Sequence, residues 1–176
     1  MNIEPHKNGA ATIVNTRWQP LSLVTDYKVL VRVWPRVRLG CLALKVHDKN
    51  GDAGNWTPEH VRAQLDLGLQ GKSTAKLWLI TNPQGATIGF VVTIVGICPY
   101  LNVQQSLIVW LAYTFERMKS TVGRGCVTQL EEYTRESGLR YIDTYTVRPG
   151  IIKWLQRFGR SYRTSQFLVR KDVWKE

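Results

Sequence analysis

The sequence predicts an α/β protein: one mixed β-sheet with helices on both of its faces. Three observations lead there. The apolar period changes from helical to alternating at Lys76 and returns to helical at Gly123. Between those points the runs KLWLIT, ATIGFVVTIVGIC and SLIVWLAYT are apolar on both faces, as strands covered on both sides are. After Gly123, helices and strands alternate, the arrangement that layers helices on a sheet.

Taken in order, ATIVNTRWQPLSLV holds a first strand broken at Pro20. PRVRLGCLALKVH follows as a helix with Pro35 in its first turn. Val37, Cys41 and Leu44 fall on one apolar face beside Leu42 and Val46, and Gly40 weakens it. A second helix opens at Thr57, a good N-cap, with Pro58 at the first helical position and Glu59 near the positive end of the dipole. Val61, Leu65 and Leu69 form its buried stripe, and Gly68 and Gly71 mark its exit. KLWLIT, the turn NPQG and ATIGFVVTIVGIC make a hairpin, and SLIVWLAYT adds a third strand. GRGCVTQLEEYTRESG is a helix with Val127, Leu130 and Thr134 on one side, closed at Gly138. YIDTYTV is a strand, IIKWLQRFG a short helix and SYRTSQFLVRKDV one last strand. The division this suggests is an extended segment with the first strand over residues 1–33 and the main domain over 34–176, together one domain.

Composition narrows the function. The chain has 176 residues, 44% of them hydrophobic, enough for a core without staples. The most apolar run, Ile88 to Ile97, is about half the roughly 20 residues of a membrane span, and the first dozen residues lack a signal peptide's apolar stretch. Three cysteines, Cys41, Cys98 and Cys126, lie far apart without a CxxC pair, which fits reduced thiols in a cytoplasm-like compartment. His6, His47 and His60 have no metal spacing, and no metal is expected. Twenty-four Lys and Arg against thirteen Asp and Glu give a formal +11, which favours an acidic partner: nucleic acid, an acidic protein surface or a phosphate-bearing ligand.

DKNGDAGNWTPE, Asp48 to Glu59, mimics a calcium loop: Asp48, Asn50, Asp52 and Glu59 occupy positions one, three, five and twelve. Ala53 stands where such a loop needs glycine, and Asn55 where it carries an apolar residue. The stretch therefore reads as a solvated turn between helices.

The order of elements, with VGRGCVTQLEEYTRESGLRYIDTYTV and the short helix ending in FG, resembles the GCN5-related N-acetyltransferase (GNAT) fold over roughly Trp34 to Val173. That family binds the pyrophosphate of acetyl-CoA on a Q/R-x-x-G-x-G/A turn opening the central helix. The matching stretch here is STVGRG, Ser120 to Gly125, with serine in place of the first Gln or Arg. The resemblance implies acetyl-CoA as the cofactor and Gly123, Arg124, Gly125 and Cys126 as its binding residues; glycine permits close backbone approach, and the first helical N–H groups face the anion. It also implies a catalytic tyrosine before the closing glycine, where this chain has Leu155, and an asparagine opening that helix, where it has Arg148-Pro149. No Asp or Glu occurs between Lys76 and Phe115, which leaves Glu116 as the candidate base. The WPRV stretch (Trp34 to Val37), the apolar strand block and the shortened FG segment also resemble small GNAT-like proteins of tailed bacteriophages, which would place the chain in a virion.

Two functions follow as expectations. The first is a binding or assembly protein with a degenerate acyl-CoA site. It docks an acidic protein surface or phage assembly partner through Arg148, Lys153, Arg157, Arg160 and Arg163, among which Trp154, Phe158 and Tyr162 are interleaved. The second is an acetyl-CoA-dependent N-acetyltransferase acting on an amine or protein. Sequence-nonspecific nucleic-acid binding is a third reading, resting on charge alone.

Overall fold

The computed structural model describes residues 18–47, 56–97, 105–145, 156, 162–165 and 168–172. The elements run β1 (Leu21–Leu23), α1 (Tyr27–His47), α2 (Pro58–Leu69), β2 (Lys76–Thr81), β3 (Thr87–Ile97), β4 (Gln105–Thr114), α3 (Ser120–Glu136), β5 (Tyr141–Tyr145), β6 (Tyr162–Ser165) and β7 (Leu168–Asp172). The strands form one mixed sheet in the order β1-β2-β3-β4-β5-β7-β6. Only β4 and β5 pair in parallel among the described strands, and α3 makes the crossover between them. This is the α/β architecture expected from the sequence.

Two cores sandwich the sheet. On one face α3 lays Val122, Cys126 and Leu130 over Leu21, Trp78, Ile80, Ile88, Val91, Leu107 and Ile142. On the other, Leu30, Val37 and Cys41 of α1 and Val61 and Leu65 of α2 cover Leu77, Phe90, Val92 and Leu111.

α2 begins as its sequence predicts: the Thr57 hydroxyl accepts from the His60 N–H at 3.2 Å, and Pro58 needs no donor there. Gly71 leaves the helix at φ +72°. The NPQG turn is held by the Asn82 carboxamide, which accepts from the Gln84 and Ala86 N–H groups at 3.0 and 2.9 Å, with Gly85 at φ +80°.

α1 corrects the reading of its start. It begins at Tyr27, so Pro35 lies inside it and position 33/34 falls mid-helix. Asp26 is the cap: its carboxylate accepts from Lys28 N–H at 2.6 Å and Val29 N–H at 3.2 Å. Pro35 is tolerated because it faces solvent, where the carbonyl it leaves unpaired can be hydrated, while Leu30 and Val37 bury to either side. Leu42, expected in the apolar face, points outward instead. Gly40 is explained by contact: a Cβ there would strike the buried Phe90 ring and lie 2.9 Å from Tyr113 Cδ1.

Two further boundaries move. α3 starts at Ser120, with a buried stripe of Val122, Cys126, Leu130 and Thr134 rather than one through Val127. It ends on Gly138 at φ +68°, with Leu139 N–H bonded to Thr134 O at 3.0 Å. The single last strand is a hairpin, β6 antiparallel to β7. The short helix expected over IIKWLQRFG, apart from Gln156, lies outside the described residues, as does Asp48 to Asn55.

Candidate functional site: a fork in the sheet beside a helix N-terminus

The parallel pair β4–β5 runs from Ser106↔Tyr141 to Val109↔Thr144, and there the described pairing stops. β4 continues through Trp110 to Thr114, bonded on its other side to β3. At that junction Val92 pairs with Leu111 and Thr93 with Val109, so Trp110 is an extra residue, a β-bulge. The bulge falls beside the last described β4–β5 pair, and Trp110 packs with the core under α1 and α2, where its ring meets Trp56 edge-on at 6.4 Å. Lys45 Nζ lies 5.5 Å from the Trp56 ring. Further along, Tyr113 and Phe115 stack in a T at 5.5 Å, with the Arg36 guanidinium 4.3 Å from the Phe115 centroid. Ala112 is exposed on the opposite side of the strand.

Five residues after β4 ends, α3 begins. Its N-cap is Lys119, which makes no side-chain capping bond, and its first turn holds no acid. The positive end of the helix is therefore unneutralised by its own sequence, and exposed Arg117, Lys119 and Arg124 add charge.

The residues expected to bind cofactor sit on this first turn and a half. Gly123 is buried, and its N–H already bonds Lys119 O at 3.1 Å. Arg124 is exposed. At Gly125 the glycine has a packing cause: a Cβ would lie 2.7 Å from Pro20 Cγ. Next to Pro20, Gln129 clamps both backbone groups of Leu21, accepting from its N–H at 2.7 Å and donating to its carbonyl at 3.2 Å. The Cys126 side chain points into the core, and burial pushes its thiol up to about 12. That thiol has no side-chain role at the helix mouth.

Glu116 is exposed on the connection between β4 and α3. Sequence reasoning passed over Asp143, a fully buried carboxylate on β5, opposite Ile108 of β4 and Arg170 of β7. A lone charged residue in the middle of the strand YIDTY was the available signal. Arg163 lies on β6 across from Arg170. Arg148, Lys153, Arg157 and Arg160 lie outside the described residues. Glu59, the last ligand of the calcium-like pattern, accepts from Arg38 Nε at 3.2 Å. Its carboxyl is held below the usual range first by its own backbone N–H and also by Arg38. A separate cavity of about 180 Å³ lies between α2 and the β1–β2 edge, lined by Leu23, Leu65, Leu69 and Leu77.

Among solved structures, a GNAT-family acetyltransferase from Listeria monocytogenes superposes with a TM-score of 0.61 over 86% of this chain and 94% of its own, at 10% identity. The chain has the GNAT fold. A probable acetyltransferase matches with a TM-score of 0.60 over 83% and 91%, at 15% identity. The PaiA N-acetyltransferase of Thermoplasma acidophilum, solved in complex with coenzyme A, matches at 0.56 over 86% and 98%, at 10% identity. No family model and no curated protein matches the sequence. Among the described residues no helix is long and apolar enough to cross a membrane.

Proposed function

We propose that the protein binds an acyl-coenzyme A, with acetyl-CoA the first to test, at the fork between β4 and β5 and transfers its acyl group to an amine. The observation that carries this reading is the fork. Past Val109, the β5-facing backbone groups of β4 have no strand partner among the described residues. An amide-bearing arm such as pantetheine can pair with such an edge as an added strand would. Its pyrophosphate then falls to the α3 N-terminus, where the backbone N–H groups of Ser120, Thr121 and Val122, which have no partner within the helix, and the side chains of Lys119 and Arg124 supply donors and charge. The coenzyme A held by PaiA, which shares this fold, supports the assignment.

Chemically, a carbon–nitrogen bond forms as the thioester carbon–sulfur bond breaks, and the amine proton must leave. In this reading Glu116 takes it through water, since the exposed connection after β4 keeps its carboxylate solvated. Turnover of labelled acetyl-CoA across amines, amino acids and peptides tests the assignment. Glu116→Gln should lower kcat by about 10²-fold at unchanged stability. An unchanged kcat would remove Glu116 from the mechanism.

A second reading is favoured by the absence of any Asp or Glu from Lys76 to Phe115, which leaves the β2–β4 wall of the fork without a proton acceptor. In it a GNAT-fold binding protein, a phage virion component, docks an acidic partner through Arg148, Lys153, Arg157, Arg160 and Arg163. Acetyl-CoA binding without turnover on any acceptor would favour it. Retention of the partner by Arg157→Glu/Arg163→Glu would rule that surface out.

A further inference from the structure

Four of the large apolar side chains that stand exposed lie on one helix, α1: Tyr27 at 58%, Val31 at 48%, Leu39 at 64% and Leu42 at 37%. At about 100° per residue, Val31, Leu42, the exposed Pro35 and Leu39 fall within an arc of about 80°, opposite the buried Leu30, Val37 and Cys41. The stripe runs along about three turns, roughly 16 Å. Lys28 continues the same arc at its N-terminal end, Arg32 and Arg36 border the stripe on one side, and Arg38 and Lys45 on the other. The whole of α1, Tyr27 to His47, contains no Asp or Glu. Arg38 is paired with Glu59 of α2, a contact at the margin with both side chains largely exposed.

We propose that this outer face of α1 docks an acidic amphipathic helix of a partner protein. The partner's apolar ridge would lie along Val31, Leu39 and Leu42, with its carboxylates reaching Lys28 and Arg32; Arg36 and Lys45 lie against the Phe115 and Trp56 rings, and Arg38 against Glu59. Charge selects this occupant over the others. A second copy of the chain would set two all-cationic helices against each other, and like charges across an interface are strongly disfavoured. A nucleic acid would lay phosphates over the aliphatic centre of the stripe. An anionic bilayer would accept the cations, but a helix held to the sheet along its other face has few side chains to insert. The stripe lies on the side of α1 opposite the residues buried against the sheet, so this inference does not depend on acyl transfer.

The test uses two labelled synthetic peptides of about 20 residues built from leucine and glutamate. One has leucines at i, i+3, i+4 and i+7 spacing; the other has the same composition scrambled. Fluorescence anisotropy with the full chain should show the patterned peptide binding at least about tenfold tighter than the scrambled one. Val31→Glu/Leu39→Glu should weaken the patterned peptide at least about tenfold, and Lys28→Glu/Arg32→Glu should do so with a reduced salt dependence. Both variants change exposed side chains, so circular dichroism and thermal melts should match the parent. Equal binding of the two peptides, binding that survives both double variants, or no binding at millimolar peptide would overturn the proposal. So would tighter, stripe-dependent association with phosphatidylserine vesicles, with duplex DNA, or with a second copy in sedimentation.

Discussion

Replacing Gly125 with alanine separates two reasons for a glycine at the mouth of α3. In a helix interior the change should stabilise by about 1 kcal/mol from propensity alone. Here the new Cβ would lie 2.7 Å from Pro20 Cγ and 3.1 Å from Cδ, against about 3.5–4.0 Å for an ordinary carbon contact. Pro20 is buried and has little room to retreat. Its carbonyl accepts from Thr81 N–H at 2.8 Å, and the next residue is clamped by Gln129. Overpacking of this kind costs about 1–3 kcal/mol, so the net change should be a destabilisation of up to about 2 kcal/mol. At about 2–4 °C per kcal/mol for a chain of this size, Tm should fall by up to about 8 °C. Urea denaturation and thermal melts of Gly125→Ala measure it. A variant about 1 kcal/mol more stable than the parent, yet with weakened acetyl-CoA binding, would refute the packing argument and make the glycine a phosphate-approach residue.

Other predictions follow from single contacts. Asp143→Ala should lower stability by about 3 kcal/mol or more in urea, because a fully buried carboxylate leaves its partners unsatisfied; a loss under about 1 kcal/mol would contradict that. Thr57→Ala should cost about 1 kcal/mol, with Thr57→Ser restoring most of it, and equal stability of all three would remove the cap from the account. Burial raises the Cys41 and Cys126 thiols from about 9 to about 12, Cys41 with a further push from the Glu59 charge. A raised thiol pKa stabilises the fold below the unfolded value, and that contribution is lost as pH rises from about 9 toward 12, because the unfolded chain ionises first. In a Cys98→Ser background neither thiol should react with an aromatic disulfide reagent at pH 8 until denaturant is added; fast labelling of the native protein would contradict their burial.

Local signals in the sequence were legible where the chemistry was local. Thr57-Pro58-Glu59 announces α2 because a hydroxyl cap, a proline without a donor and an acid near the dipole all act within one turn. Asn82 and Gly85 announce the hairpin for the same reason. The start of α1 was not legible. Pro35 looks like a first-turn residue, since an interior proline costs about 3 kcal/mol, and only the burial of Leu30 on the far side shows that the helix continues behind it. The fork lies deeper still. The Trp110 bulge is a relation between two strands, Val92 to Leu111 and Thr93 to Val109, and neither strand carries it alone. Gly125 was legible as a glycine in the right place, but its cause, the Pro20 ring, comes from a residue more than a hundred positions away. Asp143 was visible as a residue, but its burial comes from β4 and β7 closing on both edges of β5, which the strand itself does not show.

The most direct test of the central claim is calorimetric titration of acetyl-CoA into the parent chain and into Lys119→Glu/Arg124→Glu, both shown to be folded by their melts. Binding through the fork and the α3 N-terminus predicts micromolar affinity in the parent, weakening as salt rises, and at least about a tenfold loss in the double variant. No heat at high concentration, or affinity indifferent to both charge reversals, would contradict it.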